Sequence, residues 1–224
     1  MLVRWPVPIV LSSGAFVPLG VFALIFVAFS GGSKPSVLAA AALLGGVGGI
    51  VSLIVHELGH VSVAKRLAGV RPEKVSVMSL GAAAHLEGSY RNGREQARIA
   101  LGGPEASFAF ALALAVPIFL PAPTGLKVGA LGLALLNLGI GGLSLLPIHP
   151  LDGHKLLVGL VWWAVGSEER ARRIIKRVGT GVLAVDLSFA VLLLAERPVI
   201  GATVIAVAAV AYGQKRLVRA PRTS

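Results

Sequence analysis

The sequence predicts an all-α polytopic membrane protein with a small membrane-associated β-hairpin. The 224-residue chain is 55% hydrophobic and 14% charged, with a mean hydropathy of +0.83, whereas soluble domains carry about 25% charged residues. Residues 37–55 contain no charged side chain, yet His56-Glu57-Leu58-Gly59-His60 follows them directly. The helices are therefore expected to carry ionisable residues into the membrane, where such residues are expensive and usually functional.

Six apolar stretches predict six transmembrane helices within a single membrane-embedded domain, 1–224. They are 8–29, 37–67, 97–120, 126–165, 178–195 and 198–213. If wholly helical, the fourth would extend about 60 Å, twice the hydrocarbon thickness. It must therefore break, and its two prolines place the break near 147–153.

A β-hairpin is predicted between the second and third spans. Residues 75–80 alternate between apolar and polar side chains, Gly81 offers a turn, and 82–86 could return as a second strand. An open sheet edge is not tolerated in lipid, so the hairpin should lie at the interface or line a protein cavity.

Basic residues predict the orientation. With the N-terminus inside, 18 of the 21 Lys and Arg fall on the inner side of the six spans, which places both termini in the cytoplasm. This distribution explains the net charge of +11 without nucleic acid. The chain has no Cys, so any metal must be bound by His and carboxylates.

The HExxH pattern predicts a metal site. On a helix, His56 and His60 lie one turn apart on one face and could bind one Zn²⁺, with Glu57 as general base. A catalytic zinc ion needs a third protein ligand. Of the two Asp residues, Asp152 lies in the predicted helix break, whereas Asp186 lies inside the fifth span, so position favours Asp152. The simpler alternative is a helix end at which the three HExxH side chains are solvated.

Three further histidines leave their roles open. His149 and His154 flank Asp152 and could orient it or a water molecule, or could be solvated loop residues. His85, in the predicted return strand, could meet a cytoplasmic cleft.

HELGH in one span, followed two spans later by Pro147 and then Leu151-Asp152-Gly153, resembles the site-2 protease family of intramembrane zinc metalloproteases, in a compact form without a PDZ or CBS domain. The resemblance implies that Asp152 is the third zinc ligand. It also implies a substrate cleft, for which the candidates are Gly102, Pro104, Ser107, Asn137, Ser144 and Pro147. At Ser107 and Ser144 the family usually carries Asn, which puts substrate handling in doubt more than zinc binding.

The expected function is hydrolysis of a peptide bond within or near the transmembrane segment of a membrane protein, with one Zn²⁺ per chain. The expected partners are a single-pass or few-pass membrane protein substrate, the lipid bilayer and a regulatory membrane protein. The expected location is a bacterial or archaeal cell membrane. One alternative is a metal-ion transporter, which would require polar residues at several depths. Another is an inactive scaffold, which only Ser107 and Ser144 support.

Overall fold

The structure, a computed structural model, describes residues 7–32, 34–67, 69–79 and 81–177. This part of the chain is mostly helical with one small sheet. In order it contains β1 (Ile9–Leu11), α1 (Phe16–Phe29), α2 (Pro35–Ala64), β2 (Val70–Met78), β3 (Gly81–Gly88), α3 (Gly93–Ala115), α4 (Thr124–Ser144) and α5 (Asp152–Val165). Residues 168–177 are helical as well.

Three of the described helices are long and apolar enough to cross a membrane. They are α2, α3 with the short turn that follows it (Gly93–Phe119), and α4. The helical segment Ser13–Phe29 is also apolar but shorter. Of the predicted all-α polytopic class, the mostly helical content, the small sheet and three candidate spans are confirmed. The two predicted spans at 178–195 and 198–213 lie outside the described residues, so the number six stays a prediction.

The chain divides into two compact units, and 1–91 with 98–145 form the first. Its longest helix, α2, begins with Pro35 in the first turn, where a missing N–H is harmless. Gly45 and Gly49 of α2 face α1, since a Cβ at Gly45 would lie 2.6 Å from Phe26 and one at Gly49 would overlap Phe22. Small residues thus let α1 approach α2 closely.

The sheet has three strands in the order β1-β2-β3. The predicted hairpin is confirmed as the antiparallel pair β2–β3, in which Val75 lies opposite Ala84. The predicted first span, 8–29, is wrong at its start, because Ile9–Leu11 form a strand parallel to β2. The N–H of Val75 donates to the Pro8 carbonyl, and both the N–H and the Oγ of Ser12 donate to the Val77 carbonyl. Helix therefore begins only after this strand.

A small apolar core joins the sheet to α2. Val7, Val61 and Val75 are buried together, and Leu58 and Ala84 pack against them. Leu58 directly follows Glu57 in the HExxH segment, so this core fixes the strands beside the candidate site.

The second unit consists of 92–97 and the chain from 146 onwards. Here the first turn of α3 packs against α5 through Gly93 and Gly159, where a Cβ on Gly159 would lie 2.7 Å from the Gly93 carbonyl oxygen. Gln96 Nε2 donates a hydrogen bond to the Lys155 carbonyl, at 2.9 Å. The α4 helix ends at Ser144 and α5 begins at Asp152, so the chain leaves regular helix in the interval where the prolines predict a break.

Candidate metal and catalytic site

The HExxH side chains lie within the membrane-length helix α2. His56 and His60 are each only 5% exposed, whereas Glu57 is half-buried. The two imidazole centroids lie 5.1 Å apart, and one ligand atom from each of His56, Glu57 and His60 lies within 4.8 Å of the others. This arrangement could hold a metal ion, and burial argues against the alternative of solvated residues at a helix end.

Helix α3 orients both imidazoles through Nδ1. His60 Nδ1 lies 2.6 Å from the Ile99 carbonyl oxygen, which can only accept, so Nδ1 carries the proton. The Gly103 nitrogen lies 3.3 Å from the same Nδ1, but a protonated Nδ1 cannot accept a hydrogen bond there, and we assign the proton to the shorter contact. His56 Nδ1 lies 2.9 Å from Ser107 Oγ, which can accept in the same way. With the proton on Nδ1 of each ring, both Nε2 atoms would offer the lone pair that a metal requires.

Glycines bring α3 close enough to do this. A Cβ on Gly103 would lie 2.6 Å from His56 Nε2 and would also overlap His60 Nε2. On α2, next to His60, a Cβ on Gly59 would overlap the Gly102 carbonyl of α3. Only glycine fits at these positions. A side chain at Gly102 would meet the backbone of α2, and a side chain at Gly103 would meet the two imidazoles.

Glu57 is held by the sheet. Its Oε2 accepts a hydrogen bond from the backbone N–H of Ala84 in β3, at 2.6 Å. The sequence interpretation missed Ala84, Ile99 and Gly103 because a backbone group or an absent side chain carries each contact. Only the glycine pair left a signal, as two adjacent small residues in an apolar helix.

The structure distributes the predicted cleft residues of the first unit around α3 and α4. Gly102 and Pro104 are buried in α3, and Ser107 contacts His56. Ser144 is buried and donates to the Gly141 carbonyl of its own helix. Asn137 Nδ2 donates to Ser52 Oγ and to the Leu133 carbonyl, each at 2.8 Å, which joins α4 to α2. The role of these residues in a cleft stays a prediction.

The remaining candidates lie in the second unit. Asp152 is the first residue of α5 and is 6% exposed, and Lys155 Nζ lies 3.0 Å from its Oδ1. Pro147 lies in the segment between α4 and α5, and the rings of His149 and His154 are 5.3 Å apart. Because the two units are described separately, the approach of Asp152 to the histidines stays a prediction.

Comparison with known proteins relates part of the chain to zinc metalloproteases. Rip3 of Mycobacterium tuberculosis, named as a zinc metalloprotease, is 37% identical over 136 residues, which cover 58% of this chain and 34% of Rip3. A zinc metalloprotease of Methanocaldococcus jannaschii is 32% identical over 143 residues, 63% of this chain and 41% of that protein. The chain thus spans only about a third to two fifths of the length of these relatives. No protein-family model matches it.

The fold has a solved counterpart in the site-2 protease from Methanocaldococcus jannaschii. That structure matches with a TM-score of 0.57 and 23% sequence identity, covering 100% of this chain and 96% of the other. At this identity the match establishes the fold, and the sequence relationship to zinc metalloproteases comes from the relatives above. The chain is thus similar in sequence, over the matched part, to zinc metalloproteases, and similar in fold to a site-2 protease.

Proposed function

We propose that the chain is an intramembrane zinc metalloprotease that hydrolyses a peptide bond within or near the transmembrane segment of a membrane protein. The observation that carries this proposal is the buried pair His56 and His60, whose Nδ1 atoms are both engaged by α3. The imidazoles are thereby set to bind a metal through Nε2 at membrane depth. The names of the relatives, zinc metalloproteases, support zinc as the metal.

The donor set fits zinc, which favours neutral imidazole and carboxylate ligands. When bound, Zn²⁺ supplies a Lewis acid that activates water and polarises the peptide carbonyl. Glu57 takes one proton from the attacking water, whose oxygen bonds to the carbonyl carbon. As the C–N bond breaks, Glu57 delivers that proton to the leaving amine.

Asp152 is proposed as the third zinc ligand. It is buried at the start of α5 and matches the LDG motif of the family. Replacing Asp152 by Ala or Asn should lower the zinc content of purified protein, because two histidines alone make a weak site. Glu169→Gln is the matched control, since this carboxylate lies on an exposed helix and pairs only with Arg173 among the described ion pairs. Unchanged zinc in the Asp152 variants would remove this residue from the ligand set.

The proposed substrate is a single-pass or few-pass membrane protein in an extended conformation at the scissile bond. A helix hides its carbonyls in backbone hydrogen bonds, so it must unwind before attack. Within the described part of the chain β3 is an edge strand, to which an extended segment could add through main-chain hydrogen bonds. Gly102, Pro104, Ser107, Asn137, Ser144 and Pro147 remain the proposed cleft residues.

We further propose that the protein lies in a bacterial or archaeal cell membrane with both termini in the cytoplasm. The absence of Cys from the chain makes this directly testable with single cysteines. Cysteines introduced at Lys34 and Lys127 should react with a membrane-impermeant thiol reagent in intact cells. Those introduced at Lys74 and Arg172 should react only after the membrane is opened. The reverse pattern would invert the orientation.

The decisive experiment for the function uses Glu57→Gln. Wild-type protein in liposomes should cut at least one member of a panel of tagged single-span membrane proteins, and the variant should cut none while keeping its zinc. Cleavage by the variant at the wild-type rate would contradict the assignment of the base. Metal flux into the liposomes without any cleavage would favour a transporter instead.

A further inference from the structure

The strand β3 makes direct contact with the side chain proposed as the general base. Glu57 Oε2 and the Ala84 nitrogen are 2.6 Å apart, and the two residues are 27 positions apart in sequence. A hydrogen bond to an ionised carboxylate is shorter and stronger than one between neutral groups. This contact is therefore able to restrain a side chain that otherwise has several rotatable bonds.

The N–H of Ala84 is available because it points away from the rest of the sheet. Val75 lies opposite Ala84, and the Val75 N–H donates to Pro8 on the side of β1. Opposed residues of an antiparallel pair exchange both of their hydrogen bonds or neither. The Val75–Ala84 pair is consequently of the non-bonded kind, and the Ala84 N–H faces the outer edge of β3, where Glu57 lies.

Packing fixes Ala84 at this place. Its side chain and that of Leu58 contact the same buried cluster, which includes Val61 and Val75. Leu58 follows Glu57 directly, so the core that anchors the strand also anchors the helix turn that carries the carboxylate. The donor and the acceptor are thus held by one apolar cluster rather than by a mobile loop.

We propose that the backbone N–H of Ala84 is a positioning group that holds the Glu57 carboxylate in one orientation for proton transfer. The inference rests on the proposed function, in which Glu57 serves as the base. It gives β3 a role in catalysis that does not require substrate to pair with the strand. A misplacement of about 1 Å can cost on the order of 10²-fold in rate, so loss of this contact should slow catalysis by about 10-fold to 100-fold.

The sharpest test replaces the amide of Ala84 by an ester, by incorporating lactic acid in place of alanine. This change removes the N–H and leaves the side chain in place. The kcat should fall, while KM for a cleaved membrane protein and zinc content stay at wild-type values. The matched control is the same ester at Ala83, whose N–H lies on the side of the strand that faces β2. That variant should lose thermal stability but keep its kcat, and equal losses of kcat at both positions would overturn the proposal.

A second comparison tests whether Ala84 acts through the glutamate. In the Glu57→Asp variant the carboxylate is one methylene shorter and is withdrawn from the strand. The ester at Ala84 should then cause no further loss of kcat beyond that of Glu57→Asp alone. Independent, multiplicative losses would show that the N–H works through something other than Glu57.

Hydrogen exchange at Ala84 provides a readout that needs neither zinc nor substrate. An outward N–H on an edge strand should exchange quickly unless an acceptor covers it. Exchange at Ala84 should be slow in the wild type and at least 10-fold faster in Glu57→Ala, and equal rates would sink the inference. If the wild type cuts substrate and the Ala84 ester keeps its kcat, only the positioning role fails. If the wild type cuts nothing, the proposed function fails with it.

Discussion

Replacing Ser107 by Ala should weaken zinc binding while leaving the helices folded. Ser107 is fully buried in α3, and its Oγ lies 2.9 Å from His56 Nδ1. Alanine removes this oxygen and little else. The Nδ1–H then loses an acceptor, and the ring loses a restraint that sets the direction of Nε2.

The expected magnitude follows from the partner that is lost. Removing a hydrogen-bond partner of a metal-binding histidine typically lowers metal affinity by about 10-fold to 100-fold, which corresponds to about 1.4 to 2.7 kcal/mol. A buried donor left unsatisfied costs about 1 to 3 kcal/mol, so the two routes to the number agree. The dissociation constant can be measured in detergent-purified protein by competition with a chelator.

Ser62→Ala provides the matched control for this experiment. Ser62 is an exposed serine of α2 whose Oγ donates to the Gly59 carbonyl of its own helix, at 2.8 Å. Its replacement removes the same atom from the helix that carries both histidines, so zinc affinity should stay at the wild-type value. If Ser107→Ala binds zinc as tightly as Ser62→Ala does, α3 does not orient His56 and the reasoning is refuted.

Two further predictions concern packing and a buried polar pair. Gly103→Ala should abolish zinc binding because the new Cβ meets both Nε2 atoms. The control Gly139→Ala has open space around it and should keep the zinc content of the wild type. Equal zinc contents in the two variants would contradict the close approach of α3 to the histidines. Ser52→Ala should lower the free energy of unfolding by about 1 to 3 kcal/mol, because it leaves an N–H of the Asn137 amide without its acceptor. Asn137→Leu, which removes the whole amide, should cost less in the same thermal unfolding measurement, and the opposite order would show that Asn137 itself stabilises the contact between α2 and α4.

The parts of the fold that follow a local period could be predicted from the sequence. Alternating side chains gave the β2–β3 hairpin, and apolar length gave the membrane helices α2, α3 and α4. The strand β1 could not be recognised, because a short apolar run has the same composition in a buried strand and at the start of a membrane helix. Its pairing with β2 depends on residues about 65 positions away, which no local pattern contains.

The candidate site shows the same division. His56, Glu57 and His60 could be recognised because a helix brings positions four apart onto one face. Their partners Ser107, Ile99 and Ala84 could not, because each contact depends on how α3 and β3 meet α2. The family resemblance predicts Ser107 as a substrate-cleft residue at a position where the family usually carries Asn. The structure places its hydroxyl beside His56.

Close helix packing explains why a short side chain is sufficient at that position. Gly59 of α2 and Gly102 of α3 meet with almost no space between the backbones, and Gly103 meets the two imidazoles in the same way. At this separation a serine hydroxyl reaches His56 directly, and the Ile99 carbonyl reaches His60 without any side chain. The serine at this position therefore contacts the histidine without a longer side chain. The three glycines therefore permit both hydrogen-bond contacts, because widening the α2–α3 contact by one methyl group would withdraw both partners from the histidines at once.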